Sequence, residues 1–149
     1  MFDTFQGMAA PTEDDMDCDG TFARDVLANG EGWRYASLDD VRENMLSTGY
    51  PANRIHFVKG DVLDTLPHAG IGQLSTLRLD TDWYKSTLHE LTHLYPLICA
   101  GGILIIDDFG YWQGCRKAVR EFFGRSGPFL SIIDETGRLL VKPCAPTHG

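Results

Sequence analysis

Ile103-Leu104-Ile105-Ile106 is an unbroken apolar run set between Gly101-Gly102 and Asp107-Asp108. A strand with one wet face alternates apolar and polar side chains, and this run does not alternate. It reads as a strand buried on both faces. Such burial implies a mainly parallel sheet with helices packed on its faces. The glycine pair turns the chain into the strand, and the two acids end it.

The rest of the chain supplies matching parts. Ser37 is placed to cap a helix, with Asp40 as its capping-box partner. Leu38, Val41 and Met45 share one face of that helix, and Gly49 and Pro51 stop it. Arg54 to Lys59 reads as a strand ended by Gly60-Asp61, followed by a short helical turn through Leu66. Leu74 to Leu79 reads as a second strand and ends in Asp80-Thr81-Asp82. Trp83 to Ile98 reads as a helix, its apolar stripe being Tyr84, Leu88, Leu91, Tyr95 and Ile98. A further helix is expected from Gly114 to Phe123. Strands at Phe129 to Ile133 and Leu139 to Lys142 follow, joined as an antiparallel hairpin through Glu135-Thr136-Gly137. Before all of these, residues 1–35 are rich in loop formers: Gly7, Pro11, Gly20, Gly30 and Gly32. Their acid run, Glu13 to Asp19, reads as a solvated loop, and a short helix is placed over Thr21 to Ala28. The order αβαβαβαββ predicts one α/β domain over residues 1–149, with the α/β core from residue 36 onward.

Bulk properties narrow the function. A chain of 149 residues is long enough for one real core. No apolar run approaches the roughly 20 residues of a membrane helix. Met1-Phe2-Asp3-Thr4 has neither a basic nor an apolar leader region, so the expected compartment is the cytoplasm. A net charge of −8 speaks against a nucleic-acid partner, because phosphate contacts need clustered Lys and Arg. Cys18, Cys99, Cys115 and Cys144 are scattered without a C-x-x-C pair, and reduced thiols are expected.

In an open parallel sheet, ligands bind beyond the carboxyl ends of the strands. Asp80 and Asp107 hold that place on two successive strands. Neighbouring strands lie about 4.8 Å apart, so Asp80, Asp107 and Asp108 can converge on one point. Bare, such a cluster repels itself, and a hard divalent cation relieves the repulsion. All-oxygen donors fit Mg²⁺, Ca²⁺ or Mn²⁺ rather than Zn²⁺. The alternative is that these acids cap the following helices and stay solvated, as Asp82 is placed to do for the helix at Trp83.

Several longer stretches point further. They are Phe2-Asp3-Thr4-Phe5-Gln6-Gly7-Met8, Gly49-Tyr50-Pro51, and Phe57-Val58-Lys59-Gly60-Asp61-Val62 with Asp64-Thr65-Leu66-Pro67. Others are Leu77-Arg78-Leu79-Asp80-Thr81-Asp82-Trp83-Tyr84, Ile105-Ile106-Asp107-Asp108-Phe109-Gly110, Trp112-Gln113-Gly114 and Arg116-Lys117-Ala118-Val119. In these stretches, which cover nearly the whole chain, the sequence resembles the macrocin O-methyltransferase family. Those enzymes use S-adenosylmethionine to methylate sugar hydroxyls in antibiotic biosynthesis.

The resemblance implies a class I methyltransferase (Rossmann-like) sheet, with Mg²⁺ held by Asp80, Asp107 and Asp108. It implies Asp82 as a candidate general base and Asp61 as the acid that contacts the cofactor's adenine. Asp3 falls just past the strand that reaches the ribose, and Phe5 is expected to line the cofactor pocket. The implied acceptor is a sugar or another polyhydroxylated small molecule. In the family, a first strand and a glycine-rich loop precede the Asp3 motif. The expectation is therefore a truncated sheet with a gap between the Arg54 and Leu74 strands, closed by self-association into a homodimer or larger oligomer.

Two other readings stand beside this one. His89-Glu90-Leu91-Thr92-His93 is a formal H-E-x-x-H, the pattern of a zinc metalloprotease with Glu90 as base. Against it, Pro96 follows closely and the α/β order is foreign to that class. The other reading is a non-catalytic, self-associating methyltransferase remnant, which would bind metal without binding the cofactor. Trp83, Tyr84 and Trp112 flank the acids and read as packing or as a sugar-stacking platform.

Overall fold

The protein is represented by a computed structural model that describes residues 1–28 and 35–144. Gly30 and Gly32 of the loop-rich segment lie outside those residues. In chain order the elements are β1 (Phe2–Asp3), α1 (Ala23–Ala28), α2 (Leu38–Ser47), β2 (Val58–Lys59), α3 (Val62–Thr65) and β3 (Leu74–Leu79). They continue with α4 (Tyr84–Leu94), β4 (Ile98–Ile106), α5 (Gln113–Phe123), β5 (Ser131–Ile132) and β6 (Arg138–Val141). The strands form a sheet ordered β3-β4-β6-β5 and a separate parallel pair, β1-β2. β3 and β4 run parallel, while β6 lies antiparallel to both β4 and β5. The C-terminal hairpin is thus where the sequence placed it. Its turn is held by Asp134 Oδ1, which accepts from Gly137 N at 2.6 Å and Thr136 N at 3.0 Å.

Local signals act as the sequence predicts around α2. Ser37 Oγ accepts from Asp40 N at 3.2 Å, and Asp40 Oδ2 accepts from Ser37 N at 3.3 Å. The helix stops at Gly49, whose φ of +75° is left-handed backbone that glycine adopts without a Cβ penalty.

The structure corrects the reading at other places. The helix expected to reach Ile98 ends at Leu94, because Pro96 has no N–H to continue it. β4 therefore starts at Ile98, and Gly101-Gly102 lies inside the strand rather than before it. Between Leu74 and Thr76 of β3, the partner strand advances from Ile98 to Ile103, so Cys99 to Gly102 bulge out of the ladder. A Cβ on Gly102 would stand 2.9 Å from the Ser75 carbonyl oxygen, which explains why that position is bare. β2 covers only Val58–Lys59, since Ala52–Arg54 forms a 3-10 turn, and its partner is the short N-terminal strand β1.

The core lies on one face of the four-stranded sheet. Leu79, Leu104, Ile106 and Leu140 are buried there beneath Leu91 of α4 and Cys115 and Val119 of α5. The expectation of burial on both faces is not met in full. Ile103 and Ile105 are half-buried, and Val141, which pairs with Ile103, is exposed. Between β1 and β3 lies a cleft lined by Met1, Phe2, Leu74, Leu77, Arg78 and Glu90. Among the described residues no helix is long and apolar enough to cross a membrane.

The acid run Glu13 to Asp19 is also not the solvated loop expected. Asp15 is fully buried and Asp17 nearly so. Asp15 accepts from Thr12 N at 2.6 Å, Thr12 Oγ1 at 2.8 Å and Tyr84 N at 2.7 Å. It therefore caps α4 from a distant loop, the role the sequence offered to Asp82. A Cβ on Gly114 would fall 2.0 Å from Asp15 Oδ1, so α5 can start here only with glycine. Gln113 ties down the same loop, its N donating to Met16 O at 2.8 Å and its Nε2 to Asp17 O at 2.8 Å.

Candidate active site

Two adjacent parallel strands end side by side. Asp107 N donates to Leu79 O at 3.0 Å, which carries the ladder to the last residues before the acids. Beyond that point Asp80, Asp82 and Asp108 each offer a carboxylate oxygen, and these oxygens lie within 4.8 Å of one another. The structure thus brings together Asp80 and Asp108 from the expected ligand set and adds Asp82. Asp107 stands next to Asp80, and Arg78 bridges the two: its Nη1 lies 2.8 Å from Asp80 Oδ2 and its Nη2 3.0 Å from Asp107 Oδ2.

The backbone is bent to achieve this. Asp82 has φ +64°, rare for a residue with a side chain, and Trp83 N closes a tight turn onto Thr81 O at 2.7 Å. The indole N–H of fully buried Trp112 donates to Asp82 Oδ2 at 3.1 Å and fixes the carboxylate. Trp83 packs edge-on against Trp112 at 4.9 Å, and its own indole N–H donates to Ala9 O at 2.8 Å. Both tryptophans are buried, so they support the acid loop from beneath. Tyr84 is turned to α5, where its hydroxyl donates to Glu121 at 2.8 Å.

The electrostatics match a site short of positive charge. Burial, and then the neighbouring Asp82 carboxylate, push Asp108 up to about 9. Burial also raises Asp80, against the pull of Arg78. Behind the loop, burial lifts Glu90 to about 7, although the Thr81 hydroxyl donates to its Oε2 at 2.8 Å. An all-carboxylate set of converging oxygens, with Asp108 raised this far, fits a hard divalent cation.

A second cleft runs from these acids to the β1–β2 pair, lined by Asp3, Gly7, Gly60, Asp61, Asp80 and Thr81. It joins the expected cofactor acids Asp3 and Asp61 to the acid cluster. Asp61 caps α3, accepting from Leu63 N at 2.9 Å, and Asp3 Oδ1 accepts from Phe5 N at 2.6 Å. Phe5 is buried, with its ring against Phe57 at 6.3 Å, and is not among the residues lining that cleft.

The H-E-x-x-H segment does not assemble a hydrolytic centre. Glu90 faces Thr81 inside the fold, and His93 Nδ1 is engaged by the His89 carbonyl at 2.9 Å. The two ring centroids lie 4.0 Å apart with the rings tilted by 40°, and His89 Nε2 is buried without a hydrogen-bond partner among the described residues.

Sequence reasoning missed the roles of Arg78 and Asp15 and the bond from Trp112 to Asp82. The i, i+2 spacing of Arg78 and Asp80 on one strand was a usable signal, since it puts both on one face. Nothing local marked Asp15, whose partner Tyr84 is far along the chain.

The sequence model of the family Macrocin-O-methyltransferase (TylF) matches residues 1–137. The 8-demethyl-8-(2,3-dimethoxy-alpha-L-rhamnosyl)-tetracenomycin-C 4'-O-methyltransferase of Streptomyces olivaceus is 36% identical over 91% of this chain and 51% of its own length. The mycinamicin III 3''-O-methyltransferase of Micromonospora griseorubida is 35% identical over 89% of this chain and 51% of its own. The chain thus spans about half the length of the curated relatives it matches. Among solved structures, the O-methyltransferase NovP superposes with a TM-score of 0.79 at 32% identity, covering 96% of this chain and 59% of its own. The calicheamicin methyltransferase CalS11 superposes with a TM-score of 0.69 at 22% identity, covering 94% of this chain and 58% of its own, and shares the fold.

Proposed function

The chain belongs to the macrocin-O-methyltransferase family, and on that premise we propose that it serves S-adenosylmethionine-dependent O-methylation of a sugar or other polyhydroxylated small molecule. The observation that carries this reading is the convergence of Asp80, Asp82 and Asp108 at one end of a cleft whose other end holds Asp3 and Asp61. S-adenosylmethionine would supply the methyl group from its sulfonium, its carbon–sulfur bond breaking as the acceptor oxygen takes the methyl and the remainder leaving as the neutral thioether. Asp82 takes the hydroxyl proton, held in place for this by the Trp112 indole. Asp80, Asp107 and Asp108 would hold Mg²⁺, which would neutralise the acids and lower the pKa of an acceptor hydroxyl. Asp61 and Asp3 face the cofactor's nucleoside, and Phe5 supports their loop from the core. Alignment of acceptor and methyl donor supplies much of the rate. One domain over residues 1–149 and a cytoplasmic setting complete the proposal.

A second reading is favoured by the cleft between β1 and β3, where two strand edges stand unpaired with each other. Exposed edges invite pairing with another chain. On this reading the protein is a homodimer or larger oligomer that binds metal without turning over.

Titration calorimetry with S-adenosylhomocysteine, with and without Mg²⁺, separates the two. Micromolar binding supports the enzyme. No heat at millimolar ligand, with Mg²⁺ still bound, leaves only the self-associating fold. Asp108→Ala should abolish Mg²⁺ binding, and its survival there would refute the ligand assignment.

A further inference from the structure

We propose that Arg78 is a built-in counter-ion of the acid cluster and competes with the divalent cation for it, thereby setting the cation's affinity. This inference rests on the metal reading above.

The geometry starts from the sheet. Arg78 of β3 pairs with Ile105 of β4, so Arg78, Asp80 and Asp107 project from the same face. That face is opposite the one covered by α4 and α5. From there the planar guanidinium spans two strands and uses one nitrogen on each carboxylate, at 2.8 Å to Asp80 and 3.0 Å to Asp107. Asp80 also belongs to the converging trio with Asp82 and Asp108, so the guanidinium already holds a carboxylate that a cation would use, and it engages one oxygen each of Asp80 and Asp107. The guanidinium cannot lose its proton at any working pH, and the surrounding acids raise its pKa further. The group therefore stays charged at every working pH.

Exposure makes the group a competitor rather than a fixed part. The Arg78 side chain is 54% exposed, and it lines the open cleft between β1 and β3. A half-exposed ion pair adds little to stability, so swinging the guanidinium off the acids costs little. A dication arriving at the same carboxylates meets a like charge a few ångströms away, and either displaces it or binds against its repulsion. Both routes lower affinity. The empty cluster gains a partner for Asp80 and Asp107, and the loaded cluster loses some of its grip.

The test is calorimetric titration of MgCl₂ into the wild-type chain, Arg78→Met and Arg78→Lys, with circular dichroism to verify folding. Removing the charge in R78M should tighten Mg²⁺ binding roughly tenfold, as expected for loss of a unit charge near the ion. R78K keeps the charge without the fork and should stay within about threefold of wild type. A purely structural arginine would give the opposite sign, because a disordered ligand set binds less. R78M affinity equal to or weaker than wild type would overturn the proposal while leaving the metal reading intact. No Mg²⁺ heat from either wild type or R78M would remove the metal reading and this inference with it.

Discussion

Replacing Asp15 by alanine tests whether the loop before α1 is part of the core. The carboxylate is fully buried and accepts three hydrogen bonds of 2.6–2.8 Å, two from Thr12 and one from Tyr84 N. Hydrogen bonds to a charged acceptor contribute about 1.5–3 kcal/mol each, and a buried donor left unsatisfied costs about 1–3 kcal/mol. The gross loss is partly offset because alanine no longer has to be desolvated as a charge. The net destabilisation should be about 3–4 kcal/mol, at the upper end for point mutants. For a chain of this size about 1 kcal/mol moves the melting temperature by roughly 2–4 °C, so the midpoint should fall by about 10 °C. Thermal denaturation followed by circular dichroism reads it directly. Asp15→Asn keeps a carbonyl oxygen for Tyr84 N and should recover about half the loss. Added salt should rescue neither variant, since screening does not reach a fully buried group. A fall of less than about 3 °C for D15A would show that α4 does not depend on this cap, and the corrected reading of the acid run would fail.

Other outcomes follow from the same structure. Burial lifts Glu90 to about 7 from its ordinary 4.5, so its penalty is absent below pH 4.5 and full above pH 7. Glu90→Gln, which still accepts from Thr81, should therefore stabilise the protein at pH 8 by about 3 kcal/mol while leaving it unchanged at pH 4, as denaturant titrations at the two pH values would read. Gly114→Ala sets a methyl 2.0 Å from Asp15 Oδ1 and should cost about 2 kcal/mol or more, measured in urea; a neutral result would refute the close approach. Trp112→Phe removes the indole donor from Asp82 and should cost about 1.5–3 kcal/mol in urea denaturation, an unchanged midpoint refuting the contact. Asp108, pushed up to about 9, becomes less costly once neutral, so Asp108→Asn should raise the midpoint of the metal-free protein at pH 8 and have little effect at pH 4, by scanning calorimetry.

The residues alone marked the strand at Leu74–Leu79, the run at Ile103–Ile106, the C-terminal hairpin, the helices between them and the acids at the strand ends, but not β1. Those features depend on short-range physics: the unalternated run at Ile103–Ile106, the Ser37–Asp40 cap and the turn chemistry at Gly49. The run correctly marked a strand of the core, yet its second face proved only half-covered, because coverage depends on where other elements pack. Pro96 and the Gly101-Gly102 pair were visible as breakers, but whether they ended a helix or bulged a strand was set by pairing with β3. The acid cluster was legible as spacing along the chain. Which acids meet was not, since Asp82 turns inward through its left-handed backbone and the bond from the Trp112 indole. Asp15 was least legible of all. A carboxylate in an acid run is solvated by default, and only the approach of α4 and α5 made it a buried cap. Local sequence sets what each segment can be, and long-range contacts decide which charged groups leave water and what they meet there.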